Sequence, residues 1–296
     1  SAAGGDLHVK APMLTFTGSG AQNATAGGTL TFDGTVTKSI GDLVLTGGNA
    51  VMLGPAVTVG GAVAIIGPVL LNADTIVEGT SAVTFQGTIN GAHKLTAKSN
   101  GNITFNGNIG AGTALTSLET LSQGGTVTFG GSLVNVLNEI LLNVNLGQVI
   151  AVPAVATITS TGSITFECAS FQMGQNQKLS VPGTLTVNAN SATLGDVSTL
   201  GDMVINANTI LLLTRAPGAV LNADGTFTQD TGLDFVTGGR FFFKVAPIAV
   251  GNLGVIAFGA SNLDADALGT LGAFEQRLLA SPVTTSSFNG PGGQRL

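Results

Sequence analysis

One phrase keeps returning along this chain: glycine or a small residue, an aliphatic residue, threonine, phenylalanine, a polar residue, glycine. It reads "GGTLTFDG" at residues 27–34, "SAVTFQG" at 81–87, "GNITFNG" at 101–107, "GGTVTFGG" at 124–131 and "GSITFEC" at 162–168. Its phenylalanines, Phe32, Phe85, Phe105, Phe129 and Phe166, are separated by 53, 20, 24 and 37 residues. A second phrase, "LNAD", "VNAN", "INAN" and again "LNAD", places Asn188, Asn206 and Asn222 at steps of 18 and 16 residues. A degenerate period near 20 residues therefore runs from about residue 25 to about residue 235. A short period of this kind means stacked units, each needing its neighbours to cover its apolar edge and complete its backbone hydrogen bonds.

Inside a unit the period is two. Ile103 and Phe105 face one way while Thr104 and Asn106 face the other, and the same alternation holds for Leu30 and Phe32, Val83 and Phe85, Val127 and Phe129, and Ile164 and Phe166. Each unit is a half-buried strand closed by Gly or Asn, residues suited to tight corners. The expected fold is all-β, a parallel β-helix (β-solenoid) with a short C-terminal helical cap segment. Stacking predicts an interior column of Phe rings and a ladder of Asn at the corners. Residues 1–24 read as an N-terminal strand or extension, 25–239 as solenoid repeats, and 240–296 as strand, helix and flexible tail. In the last part Leu263, Ala267, Leu271, Phe274 and Leu278 fall at helical spacing. Ser261 or Asn262 would be the N-cap, Asp264 and Asp266 suit the first turn, and Ser281-Pro282 is the stop.

The text at 83–133, "VTFQGTINGAHKLTAKSNGNITFNGNIGAGTALTSLETLSQGGTVTFGGSL", and at 185–212, "LTVNANSATLGDVSTLGDMVINANTILL", resembles the repeats of filamentous haemagglutinin-like secreted proteins and related autotransporter passengers. The resemblance implies a right-handed parallel β-helix. It also implies export across a Gram-negative cell envelope and a role in adhesion or in building a surface layer.

Charge narrows the partners. Ten basic residues stand against 16 acids in 296 residues, with no run of Lys or Arg, so nucleic acid is excluded as a partner. Between Lys98 and Lys178 the only charged residues are Glu119, Glu139 and Glu167. The single cysteine, Cys168, excludes an internal disulfide and reads as a small buried residue on the face of Phe166. The uncharged run "AVMLGPAVTVGGAVAIIGPVLL" at 50–71 is long enough to span a bilayer. However, Gly54-Pro55, Gly60-Gly61 and Gly67-Pro68 cut it into short pieces rich in Val and Ile. It is expected to be buried strands joined by turns rather than a membrane span. A chain opening on "SAAGGD" fits a mature exported protein or a trimmed one.

Polysaccharide-active β-helices cluster Asp, Arg, Lys or His on one face to run acid and base steps on a sugar or to bind a metal. In this chain the acids are scattered, and His8 and His93, expected to be exposed polar residues, lie 85 residues apart. Asp230 and Asp234 read as turn residues and Asp264 and Asp266 as helix N-terminal charges. No cofactor, metal or catalytic motif is expected, and the absence of Trp and Tyr counts against a sugar-binding surface.

The function expected is that of a non-enzymatic, exported structural protein that self-assembles into a cell-surface fibre, sheath or matrix. Its partners are itself and possible cell-surface or matrix components. The alternative is an adhesin passenger domain, and a polysaccharide-active enzyme ranks third. A solenoid end exposes a whole coil of unpaired backbone groups. The possible assembly interface is therefore the strand-like N-terminus with Leu7, Val9, Leu14 and Phe16, together with Phe274 and Leu278 of the C-terminal helix.

Overall fold

The computed structural model describes residues 1–144, 149–152, 157–160, 162–173, 178–212, 219–221, 227–230, 233–245, 248–250 and 256–262. Every regular element among them is a β-strand, and the chain divides into two units, Ser1–Ala151 and Val152–Leu296.

In the first unit each full coil consists of three strands, one on each of three faces. The first coil is β1 (Leu7–Val9), β2 (Met13–Phe16) and β3 (Gln22–Ala26), and the second is β4 (Thr29–Phe32), β5 (Thr35–Lys38) and β6 (Leu43–Gly47). There follow β7 (Ala50–Leu53), β8 (Ala56–Val59) and β9 (Ala62–Ile66), then β10 (Val69–Leu71), β11 (Thr75–Gly79) and β12 (Ala82–Phe85). The next coil is β13 (Ile89–Asn90), β14 (Lys94–Ser99) and β15 (Asn102–Phe105), followed by β16 (Leu115–Ser122), β17 (Val127–Phe129), β18 (Leu133–Val144) and β19 (Val149–Val152). All pairings are parallel. The first face is β1, β4, β7, β10 and β13, continued by bridges from Ile89 to Ile109 and on to Val134. The second face is β2, β5, β8, β11, β14, β16 and β18. The third is β3, β6, β9, β12, β15, β17 and β19. Residues before 25 thus supply a coil in register with the one after it, Leu7 opposite Leu30 and Leu14 opposite Val36.

The period of 20 is the length of one coil. On the third face Leu45, Ile65, Phe85, Phe105 and Phe129 stand in register and point inward, each no more than 1% exposed. The residue just before each on its strand, Val44, Ala64, Thr84, Thr104 or Thr128, points outward, as alternation on a strand requires. The apolar run 50–71 supplies β7, β8, β9 and β10, with its Gly-Pro and Gly-Gly pairs lying between those strands. No helix among the described residues is long and apolar enough to cross a membrane.

The recurring phrase does not mark one face. Phe85, Phe105 and Phe129 do stack, with centroids 5.2 and 5.1 Å apart and planes 6° and 11° from parallel. Phe32, however, ends β4 on the first face opposite Val9, so it belongs to a different column. Phe166, in the second unit, stacks on Phe171 of its own strand at 4.6 Å. A three-strand coil offers the same half-buried environment on every face, so one phrase can serve any of them.

Corners depend on the absence of a side chain and on side-chain oxygens. At the corner between third and first faces, a Cβ on Gly67, Gly87, Gly107 or Gly131 would collide with the glycine one coil earlier, Gly47, Gly67, Gly87 and Gly107 in turn. Elsewhere Asp and Asn side chains accept backbone N–H groups of the following coil. Asp42 Oδ1 takes Ala62 N at 2.8 Å, Asp74 Oδ1 takes Lys94 N at 2.9 Å, Asn90 Oδ1 takes Gly112 N at 2.7 Å, and Asn102 Oδ1 takes Thr126 N at 3.0 Å. The ladder of Asn expected at corners appears instead within strands, where Asn206 Nδ2 donates to Asn188 Oδ1 at 2.8 Å.

In the second unit, Ile164–Met173, Leu185–Leu194 and Met203–Leu212 pair in parallel, as do Lys178–Val181 and Asp196–Thr199. The inward phase shifts partway along the first of these strands: Ile164, Phe166 and Cys168 are buried, then Phe171 and Met173. Cys168 therefore sits on the face of Phe166, as read from its spacing, and is 6% exposed. Asp230 is the last residue of strand Phe227–Asp230, and Asp234 lies within strand Leu233–Val245 opposite Ala257, so Asp234 is a strand residue rather than a turn residue. Ser261 and Asn262 close strand Ile256–Asn262, and the helix expected beyond them lies outside the described residues.

Candidate functional site

Four of the six residues expected at an assembly interface line the inside of the first coil. Leu7, Val9, Leu14 and Phe16 point inward but are only half-buried, whereas Leu30, Phe32, Val36 and Lys38, the residues in register with them, are at most 2% exposed. In this chain β1 and β2 pair along one edge, with β4 and β5, while β3 pairs with β6 and on its other edge takes a bridge from Ala2 to Ala26. The result is an apolar end plate rimmed by backbone donors and acceptors, the geometry that takes a further parallel strand. Phe274 and Leu278, Asp264 and Asp266 lie outside the described residues.

Directly beneath this plate is a buried cation that sequence reading passed over. Lys38 faces inward under Phe16 and is 1% exposed. Its Nζ donates to the Gly18 carbonyl and to Gln22 Oε1, the latter at 3.2 Å. Both acceptors belong to the first coil, so the ammonium ties the corner between β2 and β3 down onto the second coil. The alternation itself was the signal: in "TVTK" the lysine occupies the position that Phe fills in "TLTF".

The aspartates of the first unit stay dispersed among its corners, but the charged residues of its strands share one face. Among the strands of the first unit, Asp, Glu, Lys and Arg occur only on the second face, as Lys38, Glu78, Lys94, Lys98, Glu119 and Glu139. Glu78 stands in register with Lys98, one coil on, and Thr96 with Glu119. Lys94 Nζ lies 2.7 Å from Glu119 Oε2, and the Thr96 hydroxyl donates to the same oxygen at 3.4 Å. The Lys94 hydrogen bond holds the Glu119 carboxyl below the usual glutamate range; the Lys94 charge, Thr96 and Lys98 reinforce this, while partial burial opposes it. Glu119 is thus suited to remain a paired carboxylate and poorly suited to donate a proton. A groove of about 80 Å³ opens beside this cluster, lined by Glu78, Thr80, Lys98, Asn100, Leu121 and Gln123. Spacing by one coil length, 20 residues from Glu78 to Lys98, is what could have revealed the cluster.

Each histidine sits beside an aspartate of a neighbouring coil. His8 Nε2 is 2.8 Å from Asp33 Oδ1 and His93 Nδ1 is 3.7 Å from Asp74 Oδ1, with both rings substantially exposed. Among the described residues no three His, Cys, Asp or Glu side chains converge as a metal site would need. Comparison with protein-family models, with curated proteins and with solved structures finds no match to this chain.

Proposed function

We propose that this chain is a non-enzymatic structural subunit, exported to the surface of a Gram-negative cell, that self-assembles by coil-on-coil stacking into a fibre, sheath or matrix. The observation that carries the reading is the coil stack itself, parallel and in register, with Phe105 stacked between Phe85 and Phe129 so that each coil is the template for the next. A coil of another copy stacked on Leu7, Val9, Leu14 and Phe16 would bury those half-buried side chains and add backbone hydrogen bonds, so apolar burial and backbone hydrogen bonding would act together. Export is supported by the resemblance of the repeats to those of secreted filamentous proteins.

Sedimentation velocity tests the reading. The wild-type chain is expected to form concentration-dependent species larger than a monomer, and Leu14→Glu is expected to shift them to monomer with the far-ultraviolet circular dichroism unchanged. A wild-type chain that stays monomeric at every concentration overturns it. A second reading, an adhesin, draws on the second face, where the charged strand residues of the first unit are collected. Cell adhesion by the monomer, lost when Lys94 and Lys98 are replaced, would favour it.

A further inference from the structure

We propose that the third face of the first unit is a lateral contact surface that packs against the third face of a second copy of this chain. This deepens the assembly reading: coil ends would make the fibre longer, and this face would make it wider.

Three observations meet on this surface. The first is charge. The third-face strands β3, β6, β9, β12, β15, β17 and β19 contain no Asp, Glu, Lys or Arg, while the strands of the neighbouring second face carry five that are not buried, Glu78, Lys94, Lys98, Glu119 and Glu139. Exposed sheets of soluble monomers are normally guarded by Lys and Glu against sheet-to-sheet association. The chain has such residues and places them on the adjacent face.

The second is relief. Val44, Ala64, Thr84, Thr104 and Thr128 form one outward column in register, every member half-buried. Small and β-branched side chains stacked this way make a flat surface, of the kind that interdigitates with a like surface about 10 Å away. One margin carries a single charge, Asp42, whose Oδ1 accepts Ala62 N at 2.8 Å; the other is uncharged, with Asn106 Nδ2 donating to Gln86 Oε1 at 3.0 Å and Ile66 41% exposed.

The third is area. Seven strands of three to five residues, at about 4.8 Å spacing and about 3.3 Å per residue, make a face of roughly 400 to 480 Å². Two such faces together bury about 800 to 950 Å², below the roughly 1,200 Å² of stable specific interfaces and in the range of weak contacts. A pair of identical faces related by a twofold axis requires no complementary charge. Such a contact is weak between two single chains and gains strength when repeated along a fibre.

Cysteine cross-linking in the full chain tests this. Cys168 is buried, so an introduced thiol is the reactive one. Thr104→Cys, at the centre of the face, is expected to give a covalent dimer with a short bis-maleimide. Thr58→Cys, exposed on the second face, is expected to give at least fivefold less. The double variant Thr84→Lys, Thr104→Lys is expected to abolish lateral pairing and leave end-to-end filaments intact. Equal cross-linking at positions 58 and 104, or lateral pairing that survives the two lysines, would overturn the proposal. Retention of an unpaired chain on an insoluble polysaccharide, lost in the lysine variant, would overturn it in favour of that partner. Paired chains that form no filaments would support the lateral contact and overturn end stacking, so the two readings fail separately.

Discussion

Phe105 lies face to face with Phe85 in the coil before it, ring centroids 5.2 Å apart and planes 6° from parallel. Since Phe129 repeats the geometry at 5.1 Å on the other side, Phe105 is the middle ring of three and loses contacts in both directions if removed. Phe105→Ala is expected to cost about 3 to 5 kcal/mol, the range for a buried aromatic that leaves a void. Phe105→Leu is expected to cost less than half of that. Urea denaturation monitored by circular dichroism distinguishes the two.

Gly107 has no room for a side chain, because the glycine below it, Gly87, occupies the space a Cβ would take. Gly107→Ala is expected to destabilise by at least about 2 kcal/mol, since the clash is with backbone that cannot move without shifting a whole coil. Gly20→Ala, where nothing lies within 4 Å of the added carbon, is expected to be neutral. Thermal midpoints of the two variants measured side by side check the contrast.

Asp74 clips the following coil through the Lys94 amide, and an amide oxygen would accept that hydrogen bond as well as a carboxylate does. Asp74→Asn is therefore expected to be within about 0.5 kcal/mol of wild type, and Asp74→Ala to lose about 1 kcal/mol. Hydrogen exchange at the Lys94 amide is expected to speed up in the alanine variant alone.

Lys38 is buried against two neutral oxygens, the Gly18 carbonyl and Gln22 Oε1, so its charge is desolvated and held by dipoles alone. Both Lys38→Met and Lys38→Ala remove that penalty and leave the Gly18 carbonyl without its donor, but Met keeps the volume whereas Ala also opens a cavity. The alanine variant is expected to be less stable than the methionine variant by about 2 kcal/mol. Chemical denaturation of both variants measures the difference.

Glu119 has its folded-state titration pulled below the usual glutamate range, chiefly by the Lys94 hydrogen bond. A depressed carboxyl stabilises the fold above its unfolded pKa, and that contribution disappears as pH falls through the lower folded value. The pair is partly solvent-exposed, so the effect is small and weakens with salt. Removing the partner with Lys94→Met is expected to flatten the loss of stability below the usual glutamate range, which a denaturation series against pH would detect.

The architecture could be read from the text because it rests on local physics. Alternation in "NITF" sets which side chains enter the core, and Gly-Pro pairs at 54–55 and 67–68 mark where strands stop. Face assignment was harder to read. Phe32 and Phe85 share a phrase but lie on different faces, and only a gap of one coil, as from Phe85 to Phe105, places two residues in one column. The same rule governs the charges: Glu78 and Lys98 look unrelated until 20 residues is recognised as one turn. Lys38 was missed because a lysine at an inward position contradicts the usual sorting of charge to the surface, and its stabilisation by the Gly18 carbonyl depends on a corner whose path no local pattern encodes.

Negative-stain electron microscopy of the purified full chain tests the central claim most directly. Coil-on-coil assembly predicts filaments that lengthen with concentration and are lost in Leu14→Glu. A field of monodisperse single particles at every concentration, with no end-to-end order, would contradict it.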